Sequence, residues 1–187
     1  MQSKLDVIIG CMFSGKSTEL IKRIRTAKVL FENNLMVINH KSDNRYCEKS
    51  YICSHDKDKI TAIQVHSLNH LLYSVEFSES KAIFIDEAQF FDDLYEFVME
   101  ALKYDKWIVV CGLDGDFQGA PFGEILRLIP VSDSICKLTA LCTQCKDGTP
   151  AIFSKRKVNA IKKVMIGSTD SYEPVCRKHF NQKNHLD

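Results

Sequence analysis

A chain of 187 residues, 45% hydrophobic and 26% charged, suits one well-buried globular core with a small appendage and is too short for two full-sized domains. No apolar run approaches the ~18 residues that cross a bilayer, and the N-terminus runs almost directly into strand-like sequence, so we expect a cytoplasmic protein with no membrane partner. A formal net charge of +1 supplies no global field for gathering nucleic acid.

Leu5 to Lys22 reads as a short strand, a glycine-bounded turn and the start of a helix. Gly10, Cys11, Met12, Phe13, Ser14, Gly15, Lys16 and Ser17 fit the spacing G-x-x-x-x-G-K-[ST] of a phosphate-binding loop. The glycines let backbone N–H groups turn toward phosphate oxygens, and a helix starting near Lys16 adds the positive end of its dipole. Lys16 is expected to neutralise the β and γ phosphates of a bound nucleotide, and the Ser17 hydroxyl to bind Mg²⁺.

The segment to about Glu32 places Leu20, Ile21, Ile24, Ala27, Val29, Leu30 and Phe31 at mostly helical spacing, predicting an amphipathic helix against a sheet. Leu35 to Asn39 is a buried-strand run, and Lys41 to Lys59 a polar loop holding Asp43, Arg45 and His55. Further strands are expected at Thr61 to Val65, Lys81 to Asp86 and Trp107 to Leu113, and helices at Leu68 to Phe77 and Asp92 to Tyr104. Alternating apolar strands and amphipathic helices imply an α/β fold, a parallel sheet covered on both faces.

Asp86 follows the run Ile83 to Ile85, the position of a second acidic Mg²⁺ ligand in phosphate-loop proteins, and Glu87 adds a carboxylate placed to accept a proton from an attacking hydroxyl. Phe90, Phe91, Leu113, Phe117 and Phe122 fall in turn-rich sequence after strand ends. There they either stack a flat nucleobase or anchor the local turns, with Gln89 and Gln118 as candidate edge readers. Cys142-x-x-Cys145 and Cys176-x-x-His179 are two equally spaced pairs that suit a closed structural Zn²⁺ site; a redox pair at Cys142 and Cys145 would leave the second pair unexplained. Cys11, Cys47, Cys53, Cys111 and Cys136 are expected to be free thiols.

Together, GCMFSGKST, SDNR, FIDEAQFF, LDGDFQGAPFG, KLTALCTQC, SKR and DSYEPVCRKH closely resemble the zinc-containing type II thymidine kinases of cells and large DNA viruses, from about Val7 to Phe180. The resemblance implies a P-loop, RecA-like sheet over residues 1–138 and a small zinc-binding lasso domain over 139–187. It implies transfer of the γ-phosphate of ATP to the 5′-hydroxyl of thymidine, with deoxyuridine accepted too, in a homotetramer inhibited by dTTP. It assigns nucleotide contacts to Gly10 to Ser17, Asp43, Asn44, Arg45, Asp86 and Gln89, and the general base to Glu87. Met12, Phe90, Leu113, Phe117, Phe122 and Tyr172 would enclose the thymine, beside a lasso at Lys163, Val164, Met165, Ile166 and Gly167. Cys11 stands where the family usually has proline, Ser168 where it has glycine, and His179 where animal members have cysteine. The rival readings are a nucleic-acid-dependent ATPase with a zinc ribbon, since DEAQ also resembles a helicase motif, and a GTP-binding switch, which lacks an N-K-x-D segment.

Overall fold

The structure is a computed structural model that describes residues 2–41, 51–53, 59–157 and 171–182. Six strands form its central sheet: β1 (Lys4–Gly10), β2 (Leu35–His40), β5 (Ile63–Val65), β6 (Ala82–Asp86), β7 (Trp107–Leu113) and β8 (Ser134–Leu138). All pairings are parallel, in the order β5-β2-β6-β7-β1-β8. β3 (Tyr51–Cys53) and β4 (Lys59–Thr61) form a small antiparallel pair beside it.

Side chains alternate across each strand, so the continuous apolar runs feed two cores. Val7, Ile9, Ile83, Ile85, Ile108 and Val110 meet α3 (Leu94–Ala101) and Phe77 of α2 (Val75–Glu79) on one face. Ile8, Phe84, Val109 and Cys111 meet α1 (Lys16–Phe31) on the other. Leu20, Ile21 and Ile24 of α1 are at most 1% exposed, each stabilising the packing by roughly 1.5–3 kcal/mol. Val29 and Leu30, expected on the same face, are instead 84% and 62% exposed, because the helical rotation carries them off the sheet.

Other expected elements also differ in detail. The helix expected over Leu68 to Phe77 is broken: a 3₁₀ turn at Asn69–Tyr73 stops at Ser74, whose Oγ accepts the Phe77 N–H and caps α2. The helix expected at Asp92 to Tyr104 is α3 plus a 3₁₀ turn at Leu102–Tyr104. Strand β8 was not expected. Buried Asp6 ties it to β1, accepting hydrogen bonds from Ser134 Oγ at 2.5 Å, Trp107 Nε1 at 2.8 Å and Lys4 Nζ at 3.1 Å. Burial pushes this carboxyl up, and those hydrogen bonds outweigh it and hold the group below its ordinary value.

Beyond Leu138 the chain forms two small antiparallel pairs, β9 (Ala140–Leu141) with β10 (Pro150–Ala151) and β11 (Phe153–Arg156) with β12 (Tyr172–Val175). A one-and-a-half-turn helix, α4 (Arg177–Asn181), follows. No helix among the described residues is long and apolar enough to cross a membrane.

Candidate active site

β1 ends at Gly10 and hands the chain to the loop that precedes α1. The Cys11 carbonyl accepts hydrogen bonds from Ser14 Oγ and Lys16 Nζ, both at 2.8 Å, closing the loop on itself. Gly15 adopts φ 84° and ψ 16°, a left-handed conformation that glycine enters without steric cost. It delivers the chain to the first turn of α1, whose leading N–H groups lack intrahelical acceptors, as at any helix start. Ser17 is the second residue of that turn.

Asp86 is the last residue of β6 and is 4% exposed; Glu87 follows it. β7 lies between β6 and β1, so the acidic pair faces the phosphate loop across the end of β7 instead of from an adjacent strand. Cys111 on β7 registers both sides. Its fully buried thiol is pushed well up by desolvation and by the charges of Asp86 and Glu87, against the opposing pull of Lys16. Glu87 holds φ 51° and ψ 38°, a conformation uncommon outside glycine and concentrated at functional sites. Gln89 is 3% exposed and bonds Glu87.

Met12, Leu113 and Tyr172, all at most 9% exposed, pack with Phe13, Phe117 and Phe122 in one cluster. Phe90 joins it edge-on to Phe122, ring centroids 5.6 Å apart. The residues expected to enclose a flat base therefore converge from four separated stretches of chain. Asp116 shapes the loop after β7 by accepting the N–H groups of Gln118 at 2.8 Å and Ala120 at 3.0 Å; Gln118 itself is exposed. Two residues went unassigned in the sequence. Arg156 stacks its guanidinium 4.0 Å from the Phe117 ring centre and donates to the Tyr172 hydroxyl at 3.3 Å. His40 closes β2 against Phe90 and Phe91. The SKR motif held a signal for Arg156; nothing local marks His40. Asp43, Asn44, Arg45, Lys163, Val164, Met165, Ile166 and Gly167 lie outside the described residues, as do His55, Cys47 and the Cys53 side chain.

Cys142, Cys145, Cys176 and His179 converge, with their ligand atoms all within 4.8 Å of one another. His179 Nδ1 lies 3.4, 3.3 and 3.4 Å from the sulfurs of Cys142, Cys145 and Cys176, and the Cys145 and Cys176 sulfurs are 3.7 Å apart. A tetrahedron with Zn–S of about 2.3 Å and Zn–N of about 2.0 Å has edges of about 3.5 Å (S to N) and 3.8 Å (S to S), so the donor set fits such an ion. Burial pushes the Cys142 thiol up, but hydrogen bonds from the Cys176 and Cys145 backbone and from His179 overcome it and bring it to about 6. Burial and its cysteine neighbours push Cys145 up to about 11. Cys11, Cys111 and Cys136 are free thiols.

A glycine-bounded loop with G-x-x-x-x-G-K-[ST] spacing, a carboxylate pair across the sheet's carboxyl edge and an adjoining aromatic cluster mark a P-loop α/β protein with a Cys₃His module. The family model described as thymidine kinase matches residues 3–180. Thymidine kinase of Oryza sativa subsp. japonica is 40% identical over 181 residues, covering 95% of this chain and 66% of the rice protein. Thymidine kinases of monkeypox virus and of vaccinia virus (strain Western Reserve) are each 41% identical over 176 residues, covering 94% of this chain and 96% of the viral ones. The chain belongs to the thymidine kinase family.

Proposed function

We propose that this protein transfers the γ-phosphate of ATP to the 5′-hydroxyl of thymidine, with deoxyuridine as a second acceptor. The carrying observation is that the phosphate loop, Glu87 and the aromatic cleft of Met12, Phe90, Leu113, Phe117, Phe122 and Tyr172 meet at the carboxyl edge of one sheet, where open α/β folds bind ligands. Gly10 to Ser17, with Asp43 to Arg45, hold the triphosphate. The cleft orients the nucleoside, and Glu87 takes the hydroxyl proton as the oxygen bonds to the γ-phosphorus and the bond to the β–γ bridging oxygen breaks, releasing ADP. Magnesium held by Ser17 and Asp86 would neutralise charge on the transferred group.

The Cys₃His cluster holds a structural zinc ion in this reading. Residues 1–138 carry the nucleotide site and 139–187 the zinc module, in keeping with a sheet that ends at Leu138. β11 and β12 pair antiparallel, and the Lys157 N–H donates to the Ser171 carbonyl at 2.9 Å, which joins the described residues on either side of the stretch that contains Lys163 to Gly167. The family resemblance extends to a cytoplasmic homotetramer inhibited by dTTP, and the exposed Val29 and Leu30 are apolar surface that assembly would cover.

ADP formation with thymidine, deoxyuridine, deoxycytidine or single-stranded DNA added separately tests this reading. Turnover with thymidine is expected. Stimulation by DNA and none by any nucleoside would overturn it.

A further inference from the structure

Gln89 uses both ends of its side chain inside the protein. Its Oε1 accepts the Leu113 N–H at 2.9 Å, and its Nε2 donates to Glu87 Oε2 at 2.6 Å. The orientation of the amide is forced: the Leu113 N–H is only a donor, so the carbonyl end must face it and the NH₂ end must face Glu87. The fold makes room for this side chain. A Cβ on Gly112 would lie 2.5 Å from Gln89 Oε1, and one on Gly123 would lie 2.2 Å from the Gln89 carbonyl oxygen. Two glycines from different segments thus allow the chain to close around Gln89, whereas a nucleotide contact would call for an accessible amide.

Glu87 needs such a hold. It sits in a left-handed backbone conformation at the start of a single 3₁₀ turn, Ala88–Phe90, with its side chain only half-buried. The Gln89 amide fixes one oxygen of that carboxylate, at 2.6 Å. Leu113, the opposite end of the bridge, is a wall of the aromatic cleft.

We propose that Gln89 is a positioning residue, which aims the Glu87 carboxylate and ties it to the nucleoside pocket through the Leu113 amide. This rests on Glu87 as the general base. Misplacing a catalytic group by about 1 Å costs on the order of 100-fold, so Gln89→Met, close in shape and without polar ends, should lower kcat by roughly 10–100-fold with both KM values within about threefold. Gln89→Glu still accepts from the Leu113 N–H but sets a second carboxyl beside Glu87, which repels it or shares a proton with it, so kcat should fall and the pH profile of kcat should shift. In a Glu87→Gln background, either substitution should cost less than about threefold further, because the carboxylate it aims is gone.

Thermal unfolding of each purified variant checks that it is folded, and Gln89→Glu carries the test if Gln89→Met is not. Equal losses with and without Glu87, or unchanged kcat in Gln89→Glu, would overturn the positioning role. A raised ATP KM with kcat kept would make Gln89 a nucleotide contact instead. Near-normal turnover by Glu87→Gln alone would remove the base, and the role of Gln89 with it.

Discussion

His40 is the last residue of β2, 7% exposed, with its ring 4.7 Å from Phe91, 5.5 Å from Phe90 and 5.6 Å from His66. Burial, then the nearby His66, hold its imidazole below the ordinary 6.5, and the charges of Glu87 and Asp92 pull the other way. The unfolded chain therefore takes up a proton near pH 6.5 that the folded chain resists, and stability falls as pH drops below that value. His40→Phe keeps an aromatic ring against Phe91 and removes the titration. Urea unfolding at roughly pH 7.5 and 5.5 should show a smaller acid loss in the variant than in the parent. Equal losses would assign the acid sensitivity to other groups. A lowered pKa at His40, behind Phe90, also disfavours a positive charge near Glu87, the group proposed to receive the substrate proton.

At the scale of elements, the phosphate loop does not stand alone on β1 and α1. The Met12 N–H donates to Ser154 Oγ of β11 at 2.9 Å, and Cys11 Sγ donates to the Ala151 carbonyl of β10 at 3.3 Å. Cys11 packs among Ala140, Cys142, Ala151, Val175 and Cys176. Where proline is usual in the resembled family, this chain uses a thiol as a stitch to the Cys₃His module. Ser154→Ala should strand the buried Met12 N–H, at a cost of about 1–3 kcal/mol, and raise the KM for ATP more than that for thymidine. Lower stability with an unchanged ATP KM would show that the loop keeps its shape without Ser154.

None of these cross-links could be read from spacing, because each joins residues more than 100 positions apart. The core strands were legible, since burial on both faces writes short apolar runs into β1, β2, β6 and β7, such as Val7 to Ile9 and Leu35 to Ile38. β8 was not: as an edge strand with three of its five residues exposed, SICKL carries no such run. β3 sits in sequence read as a polar loop, and β4 runs from the end of that loop into the first residue of the strand expected at Thr61 to Val65, of which Ile63–Val65 forms β5. In the site, the motif residues announced themselves through local spacing. Gln89 and Arg156 take their partners from tertiary contacts, so their bonding was invisible beforehand.

For the whole molecule, the bonds of Cys11 and Met12 to β10 and β11 predict that loss of the Cys₃His cluster's order would reach the loop between β1 and α1. Among the described residues, the segment from β9 to α4 has only a handful of buried apolar residues of its own, and much of that small core is the cysteines themselves. A segment so thin depends on its cross-link, and in small zinc-finger peptides the ion contributes ~10–16 kcal/mol at neutral pH. Purified protein should carry one zinc per chain by elemental analysis. Cys176→Ser, or prolonged chelation, should release it and disorder β9 to β12, while the parallel sheet, whose two cores lie on other residues, stays folded. Because Cys11 and Met12 are bonded to β10 and β11, the loss should spread to the phosphate loop, so ATP affinity should fall along with thymidine affinity. Calorimetric titration with each ligand, on protein whose far-ultraviolet spectrum still reports the sheet, separates the two. Full ATP affinity in metal-free protein would confine the metal's influence to the nucleoside side, and metal-free protein with full turnover would rule out a structural zinc.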